Sequence, residues 1–138
     1  MPEFEEISVG QKAEKTTLVS KELISEFARV TLDDNPVHLD EAYAETGSYF
    51  KRCVAHGMIA ASLVASLMGN ELPGFGTIYL SQNLEFKRPV FPGDSVTVRL
   101  EVLEKKEASK RIRLATTVVN QHGKVVLDGE AWVMQRRP

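Results

Sequence analysis

The sequence predicts an α+β domain in which a curved antiparallel sheet surrounds one buried α-helix. Residues 57–69 form an almost continuously apolar run whose only polar side chains are Ser62 and Ser66, one helical turn apart. The second half of the chain alternates apolar and polar residues in segments joined by short connections. A chain of 138 residues has the size of one ordinary domain, so we expect a single domain over residues 1–138.

The first elements are a short strand and an amphipathic helix. We expect the strand at residues 12–19, and Ser20 is a favourable N-cap for a helix over residues 21–32. Most apolar residues of that helix fall on one face. The helix should end before Pro36. A residue that precedes proline avoids helical backbone angles, so Asn35 should be extended.

The middle of the chain contains the central helix. Residues 40–50 predict only a short, weak helix or an irregular flap. The apolar run at residues 57–69 predicts a helix roughly 20 Å long, which is too short to cross a bilayer. Because this helix is apolar on nearly all sides, it should be buried on nearly all sides. In a chain of this size, such burial calls for a sheet around the helix and for a second subunit.

The remaining strands lie in the second half of the chain. Alternation and bounding turns place them at residues 77–87, 95–103, 110–120 and 124–135. A turn at residues 91–94 separates the first two strands. Gly123 suits the hairpin turn at residues 121–123, because glycine tolerates a positive φ. Consecutive strands with short connections favour an antiparallel sheet.

Composition excludes several classes of function. The net charge of −2 gives no sign of binding to nucleic acid or to an anionic membrane. Cys53 is the only cysteine, so no internal disulfide can form; it is expected to be a packing residue in a cytoplasmic, reducing environment. The acidic N-terminal residues lack the apolar segment of a signal peptide.

Residues 33–38, Asp-Asp-Asn-Pro-Val-His, are the first candidate functional segment. A helix terminator followed by a turn explains this composition, since Asp, Asn and Pro are common in turns. The spacing also favours chemistry: Asp33 and His38 can both move protons near neutral pH, and Pro36 restricts the backbone between them. The segment therefore predicts an acid–base pair on a stiffened loop.

His56 and Gly57 form the second candidate. Gly57 at a helix start would leave an open backbone N–H, suited to a developing negative oxygen, although glycine there can simply permit tight chain packing. His56 by itself is more typical of a structural hydrogen-bonding residue. His38 and His56 lack metal-ligand spacing along the chain, so no metal is expected. Neither a nucleophile elbow nor a phosphate-binding glycine loop is present.

These two motifs together resemble the MaoC-like, (R)-specific enoyl-CoA hydratases. The resemblance begins with D-x-N-P-x-H at residues 33–38 and continues with His-Gly-Met at residues 56–58. It extends over most of the chain, with further matches at residues 9–12, 72–74, 79–86, 89–91 and 93–94. It implies a hot-dog fold and a homodimer whose sheets join edge to edge. It also implies syn addition of water to a trans-2-enoyl-CoA, giving the (3R)-hydroxyacyl thioester without a metal or redox cofactor.

The resemblance also implies roles for individual residues. Asp33 and His38 would hold the attacking water and exchange protons with it and with the α-carbon. The Gly57 N–H would bind the thioester oxygen, a stabilisation worth roughly 3 kcal/mol. Asn35 would brace the loop or bond within the site, and both Asn35 and His56 are placed with the substrate-binding residues. Candidates for setting the depth of the acyl pocket are Ala65 and Met68, with the flap at residues 43–50.

Three other functions compete with hydration of an enoyl-CoA. Dehydration of a 3-hydroxyacyl chain on an acyl carrier protein is the reverse reaction on a different carrier and uses the same site. Many hot-dog thioesterases resemble one another in placing a carboxylate on the central helix, whereas residues 58–69 contain none. A non-catalytic acyl-thioester-binding protein would need no acid–base pair.

Overall fold

The computed structural model describes residues 2–136. A 3₁₀ turn at Phe4–Glu6 comes first, and the α-helices are α1 (Lys21–Thr31), α2 (Pro36–Leu39), α3 (Glu41–Gly47) and α4 (Gly57–Asn70). The strands are β1 (Lys12–Leu18), β2 (Thr77–Gln82), β3 (Glu85–Phe86), β4 (Ser95–Lys106), β5 (Arg111–Asn120) and β6 (Val125–Gln135). None of the helices in the described part of the chain is long and apolar enough to cross a membrane.

The six strands form one antiparallel sheet, as the alternating sequence pattern predicts. Its order is β1-β4-β5-β6-β2, and the two-residue strand β3 also pairs with β6. Helix α4 packs against β1, β4 and β5. Burial of apolar side chains stabilises this contact, and the core includes Val64, Leu67 and Met68 of α4 and Leu100 and Leu114 of the sheet.

Helix α4 begins at the predicted residue, but it is not buried on every side in the single chain. Met58, Ser62 and Ser66 are exposed and lie four residues apart, so they form one stripe along the helix. The sequence led us to expect burial on nearly all sides. The sheet covers only one face of the helix because a single sheet cannot surround it.

The predicted strand at residues 77–87 is wrong in one respect, because the structure divides it into β2 and β3. The break falls at Asn83, whose side-chain oxygen accepts a hydrogen bond from the Glu130 N–H at 2.6 Å. Opposite the break is Gly129, where an added Cβ would lie 2.0 Å from the Asn83 carbonyl oxygen. The strand therefore breaks where the Asn83 backbone comes close to residue 129, and only glycine fits there.

The loop after α1 brings the first motif to the site. Ser20 caps the helix as predicted, its hydroxyl accepting a hydrogen bond from the Leu23 N–H at 3.0 Å. Leu32 ends the helix with a left-handed φ of 65°, so the chain turns sharply before Asp33. Asn35 avoids helical backbone angles as predicted, with φ −52° and ψ 127°, although its φ lies just outside the extended region. The short helix α2, which carries His38, was not predicted.

Candidate active site

The first half of the candidate site is the dyad loop, which we define as residues 32–38. Asn35 caps α2, and its side-chain oxygen accepts a hydrogen bond from the Val37 N–H at 3.1 Å. Pro36 occupies the first turn of α2, where its missing N–H costs nothing. One turn of helix therefore separates Asn35 from His38 and fixes the direction in which the imidazole points.

The second half is the helix-start segment, residues 53–58, which leads into α4. The two segments exchange hydrogen bonds. The His38 Nδ1 lies 2.6 Å from the Val54 carbonyl oxygen, and the His56 Nε2 lies 2.8 Å from the Asp33 carbonyl oxygen. The Val54 N–H also donates to the Val37 carbonyl at 3.2 Å. Each segment thus holds the histidine of the other.

These contacts determine which ring nitrogens carry protons. A carbonyl oxygen can only accept, so the His38 Nδ1 and the His56 Nε2 must both donate. In the neutral ring, the His38 Nε2 is then a free acceptor that faces the cleft. The His56 Nδ1 is buried and has no hydrogen-bond partner among residues 2–136. That nitrogen is therefore closed off from the cleft and from substrate.

The two histidine rings also support each other directly. Their centroids are 3.8 Å apart and their planes meet at 26°, so the rings are stacked. The Phe27 ring also packs near His56, tilted by 54° at a centroid distance of 5.1 Å. His56 is buried, whereas the Asp33 side chain is 55 % exposed and the His38 side chain 14 % exposed. The Asp33 side chain thus faces solvent at the opening of the site, and the buried His56 packs behind His38.

The Asp33 Oδ2 lies 4.0 Å from the His38 Nε2 and 4.0 Å from the His56 Nε2. This separation is too long for a direct hydrogen bond but suits two groups that share one water molecule. Because the His56 Nε2 already donates to a carbonyl, the His38 Nε2 is the better-placed partner. The geometry thus supports the sequence-based pairing of Asp33 with His38.

Gly57 lies in the same cleft and is the first residue of α4. Its N–H belongs to the first turn, where the helix supplies no acceptor. The Phe86 ring packs so closely that a Cβ added to Gly57 would lie 3.2 Å from its Cε1 atom. No sequence signal placed Phe86 beside Gly57, because Phe86 reaches the helix start through the pairing of β3 with β6.

Two cavities meet at His56 and Gly57. The smaller, which we call the catalytic cleft because it contains the candidate dyad, is lined by Phe27, Thr31, Asp33, His38, His56, Gly57 and Met58. The larger has a volume of about 340 Å³ and lies between the start of α4 and the sheet. Its wall is mainly apolar and includes Ile59, Ala60, Val96 and Val126.

The two residues expected to set the acyl pocket depth lie elsewhere on the helix. Ala65 is half-buried, and Met68 is fully buried in the core, two and three turns beyond Gly57. Neither residue lines the catalytic cleft or the larger cavity. Their assignment to the acyl pocket stays a prediction.

The fold brings together three possible metal ligands that lie far apart in sequence. One donor atom each from Asp33, His38 and His56 falls within 4.8 Å of the others, so chain spacing was a poor guide to their proximity. The carbonyl of Asp33 already occupies the His56 Nε2, and the other nitrogen of that ring is buried. Asp33 and His38 then remain as free ligands, and two ligands are fewer than a protein zinc site uses. The three residues are therefore better suited to proton transfer than to metal binding.

Cys53 lies at the beginning of the helix-start segment and is buried, as expected for a packing residue. Burial raises the pKa of its thiol, and the nearby Glu41 carboxylate raises that pKa further. The thiolate is the nucleophilic form of cysteine. Cys53 is therefore poorly suited to nucleophilic catalysis.

Comparison with known proteins finds relatives over most of the chain. Residues 4–124 match the model of the MaoC-like domain. An (R)-specific enoyl-CoA hydratase of Aeromonas caviae is 43% identical over 92% of this chain and 94% of its own. A 3-hydroxybutyryl-CoA dehydratase of Methylorubrum extorquens is 42% identical over 94% of this chain and 82% of its own.

Solved structures give the same result. The unliganded R-hydratase PhaJ1 from Pseudomonas aeruginosa superposes with a TM-score of 0.92 and is 50% identical, covering 98% of this chain and 86% of its own. This similarity confirms the predicted hot-dog fold. Family model, relatives and fold agree over most of the chain, and the protein therefore belongs to the MaoC-like domain family.

Proposed function

We propose that the protein catalyses the reversible, (R)-specific hydration of trans-2-enoyl-CoA to (3R)-hydroxyacyl-CoA. The observation that carries this proposal is the position of the Asp33 carboxylate and the His38 Nε2, 4.0 Å apart beside the Gly57 N–H. Relatives at 42–43% identity that carry the names of hydratases and dehydratases support it. The chemistry is acid–base catalysis and uses no cofactor.

In this mechanism one water molecule lies between Asp33 and His38. The thioester oxygen accepts a hydrogen bond from the Gly57 N–H, which stabilises the enolate that develops when the water oxygen bonds to C3. The dyad takes one proton from the water and returns one proton to C2, so it ends in its starting state. Both bonds form on the face of the substrate next to the dyad, and syn addition follows.

The main alternative is dehydration of a 3-hydroxyacyl chain on an acyl carrier protein. A mitochondrial 3-hydroxyacyl-[acyl-carrier-protein] dehydratase of Arabidopsis thaliana, 31% identical over 91% of this chain and 75% of its own, favours it. The same dyad would act in the reverse direction. A thioesterase is less well supported, because α4 carries no carboxylate.

Crotonyl-CoA distinguishes these reactions. Hydration removes the enoyl thioester absorbance without release of a free thiol, and chiral analysis of the product should give the (3R)-alcohol. Thiol release would instead support a thioesterase. If crotonyl and medium-chain enoyl-CoA esters both remain unchanged, the proposal is wrong. A 3-hydroxyacyl-[acyl carrier protein] tested in parallel, as the rate of enoyl formation, establishes the preferred carrier.

We also propose that the protein is a homodimer that pairs through the β2 edge of the sheet. The other edge strand, β1, exposes charged side chains such as Lys12, Glu14 and Lys15, which discourage strand pairing. Strand β2 instead exposes Ile78, Tyr79 and Leu80. An apolar, unprotected edge is suited to pairing with a second copy.

The dimer is tested by light scattering of the purified protein after size-exclusion chromatography. We expect twice the chain mass for the wild type and a shift toward the monomer for Ile78→Lys, which places a charge on the β2 edge. Thr16→Lys on the β1 edge is the matched control and should leave the mass unchanged. A monomeric wild-type protein would contradict the proposal.

A further inference from the structure

The larger cavity beside Gly57 opens at a rim with cationic side chains. Lys87 and Arg88 line this cavity, as does Phe50. The Phe50 ring lies 5.9 Å from the Phe91 ring, edge to face, and the Arg52 guanidinium carbon lies 3.9 Å from the centre of the Phe91 ring. Arg52 is therefore held at the same rim by stacking on an aromatic side chain.

Two of these cations are not neutralised by a carboxylate. Lys87 is hydrogen-bonded to Glu85. The Arg88 Nη1 donates instead to the Val125 carbonyl oxygen at 2.8 Å, which fixes the guanidinium without removing its charge. Within residues 2–136, neither Arg52 nor Arg88 has a carboxylate partner in ion-pair range. Two pre-positioned guanidinium groups thus remain available to an anion.

The orientation of the bound substrate determines which of its two ends reaches this rim. C2 and C3 must face Asp33 and His38, which line the smaller cleft on one side of Gly57. These carbons lie on the acyl side of the thioester carbonyl. With the carbonyl oxygen at the Gly57 N–H, the acyl arm occupies the smaller cleft. The sulfur and the pantetheine arm then leave through the larger cavity, toward Arg88 and Arg52.

We propose that Arg52 and Arg88 form a binding site for the phosphates of the 3′,5′-ADP part of coenzyme A. This inference rests on the proposed function, since it takes the pantetheine arm as the occupant of the larger cavity. Coenzyme A carries a diphosphate and a 3′-phosphate, and guanidinium groups pair with phosphate oxygens through two parallel hydrogen bonds. The rim thereby favours coenzyme A over a carrier whose pantetheine arm lacks the 3′,5′-ADP part.

The test compares a substrate that carries the 3′-phosphoadenosine diphosphate of coenzyme A with one that lacks it. Crotonyl-CoA and crotonyl-pantetheine are assayed with the wild type, Arg52→Gln, Arg88→Gln and the double variant. For crotonyl-CoA, we expect KM to rise about threefold in each single variant and about tenfold in the double variant, with kcat unchanged. For crotonyl-pantetheine, KM should stay at the wild-type value. Added salt should shrink the difference between the wild type and the double variant.

Arg111→Gln is the charge-matched control. Arg111 pairs with Met134 at the end of the sheet opposite to Val125, so this variant removes one positive charge far from the rim. Its KM for crotonyl-CoA should equal that of the wild type. Thermal unfolding of each variant verifies that the fold is intact.

The outcomes separate this inference from the proposed function. Hydration of crotonyl-pantetheine by the wild type tests the proposed reaction with a substrate that has no phosphate to bind at the rim. Calorimetric binding of 3′,5′-ADP, weakened in the double variant but not in Arg111→Gln, tests the rim without catalysis. An unchanged KM for crotonyl-CoA in the double variant overturns the inference. An equal rise for both substrates also overturns it, because the arginines would then act on the shape of the cavity.

Discussion

The dyad loop and the helix-start segment both supply a histidine to the site, yet the two histidines have different surroundings. His38 directs a free ring nitrogen toward the cleft, next to an Asp33 side chain that is 55 % exposed. His56 is buried and has its cleft-facing nitrogen bonded to a backbone carbonyl. One segment thus presents groups that can exchange protons, and the other supports them. The difference comes from the hydrogen bond that each ring makes, because the residue type is the same.

Replacement of Asp33 should have the largest effect. Asparagine keeps the size of the side chain but cannot accept a proton, so the rate of hydration of crotonyl-CoA should fall about a thousandfold for Asp33→Asn. Asp34→Asn is the control, because Asp34 is exposed and lies outside the catalytic cleft; its rate should stay close to the wild-type value. Intact hydration in Asp33→Asn with loss in Asp34→Asn would show that the wrong aspartate is assigned to the dyad.

In the helix-start segment, Gly57→Ala should have the next largest effect. The backbone N–H remains, but the new methyl group meets the Phe86 ring at 3.2–3.3 Å. Displacement of the amide or of the substrate should lower kcat/KM at least about tenfold. Gly57→Ala combined with Phe86→Leu should recover part of this loss. If the double variant is as slow as Gly57→Ala, the loss comes from the changed helix start and not from the contact with Phe86.

His56→Phe tests whether this residue only positions the dyad. Phenylalanine preserves the stack on His38 but leaves the Asp33 carbonyl without its donor. We expect kcat to fall about tenfold. The free energy of unfolding, measured with urea, should fall by about 1–3 kcal/mol because the hydrogen bond is lost. The pH–rate profile should keep its shape. Loss of one limb of that profile would show that His56 itself exchanges protons in the reaction.

The smallest effect is expected for the chemical reactivity of the Cys53 thiol. Burial, assisted by the Glu41 carboxylate, raises the pKa of its thiol, so less thiolate is present at neutral pH than for an exposed cysteine. A thiol reagent at pH 7 should react slowly with the folded protein and rapidly in urea. Because the thiolate fraction increases with pH, the reaction of the folded protein should accelerate only at a higher pH than that of a free thiol. Rapid reaction at pH 7 would show that the helix-start segment opens in solution.

The sequence by itself determined the features that depend on neighbouring residues. Alternation located the strands, Ser20 fixed the start of α1, and Pro36 kept Asn35 out of the helical region. The apolar run identified α4, and the two short motifs identified the family. These signals are readable because capping, backbone restriction and periodicity all act within a few residues.

Only the tertiary structure decided the features that join distant residues. The stack of His38 on His56, the exchange of carbonyl contacts between their segments and the proximity of Phe86 to Gly57 all depend on chain packing. The same is true of the break at Asn83, which follows from its approach to Gly129. The sequence thus identified the residues that can exchange protons, whereas packing determined which ring nitrogen of each histidine is free.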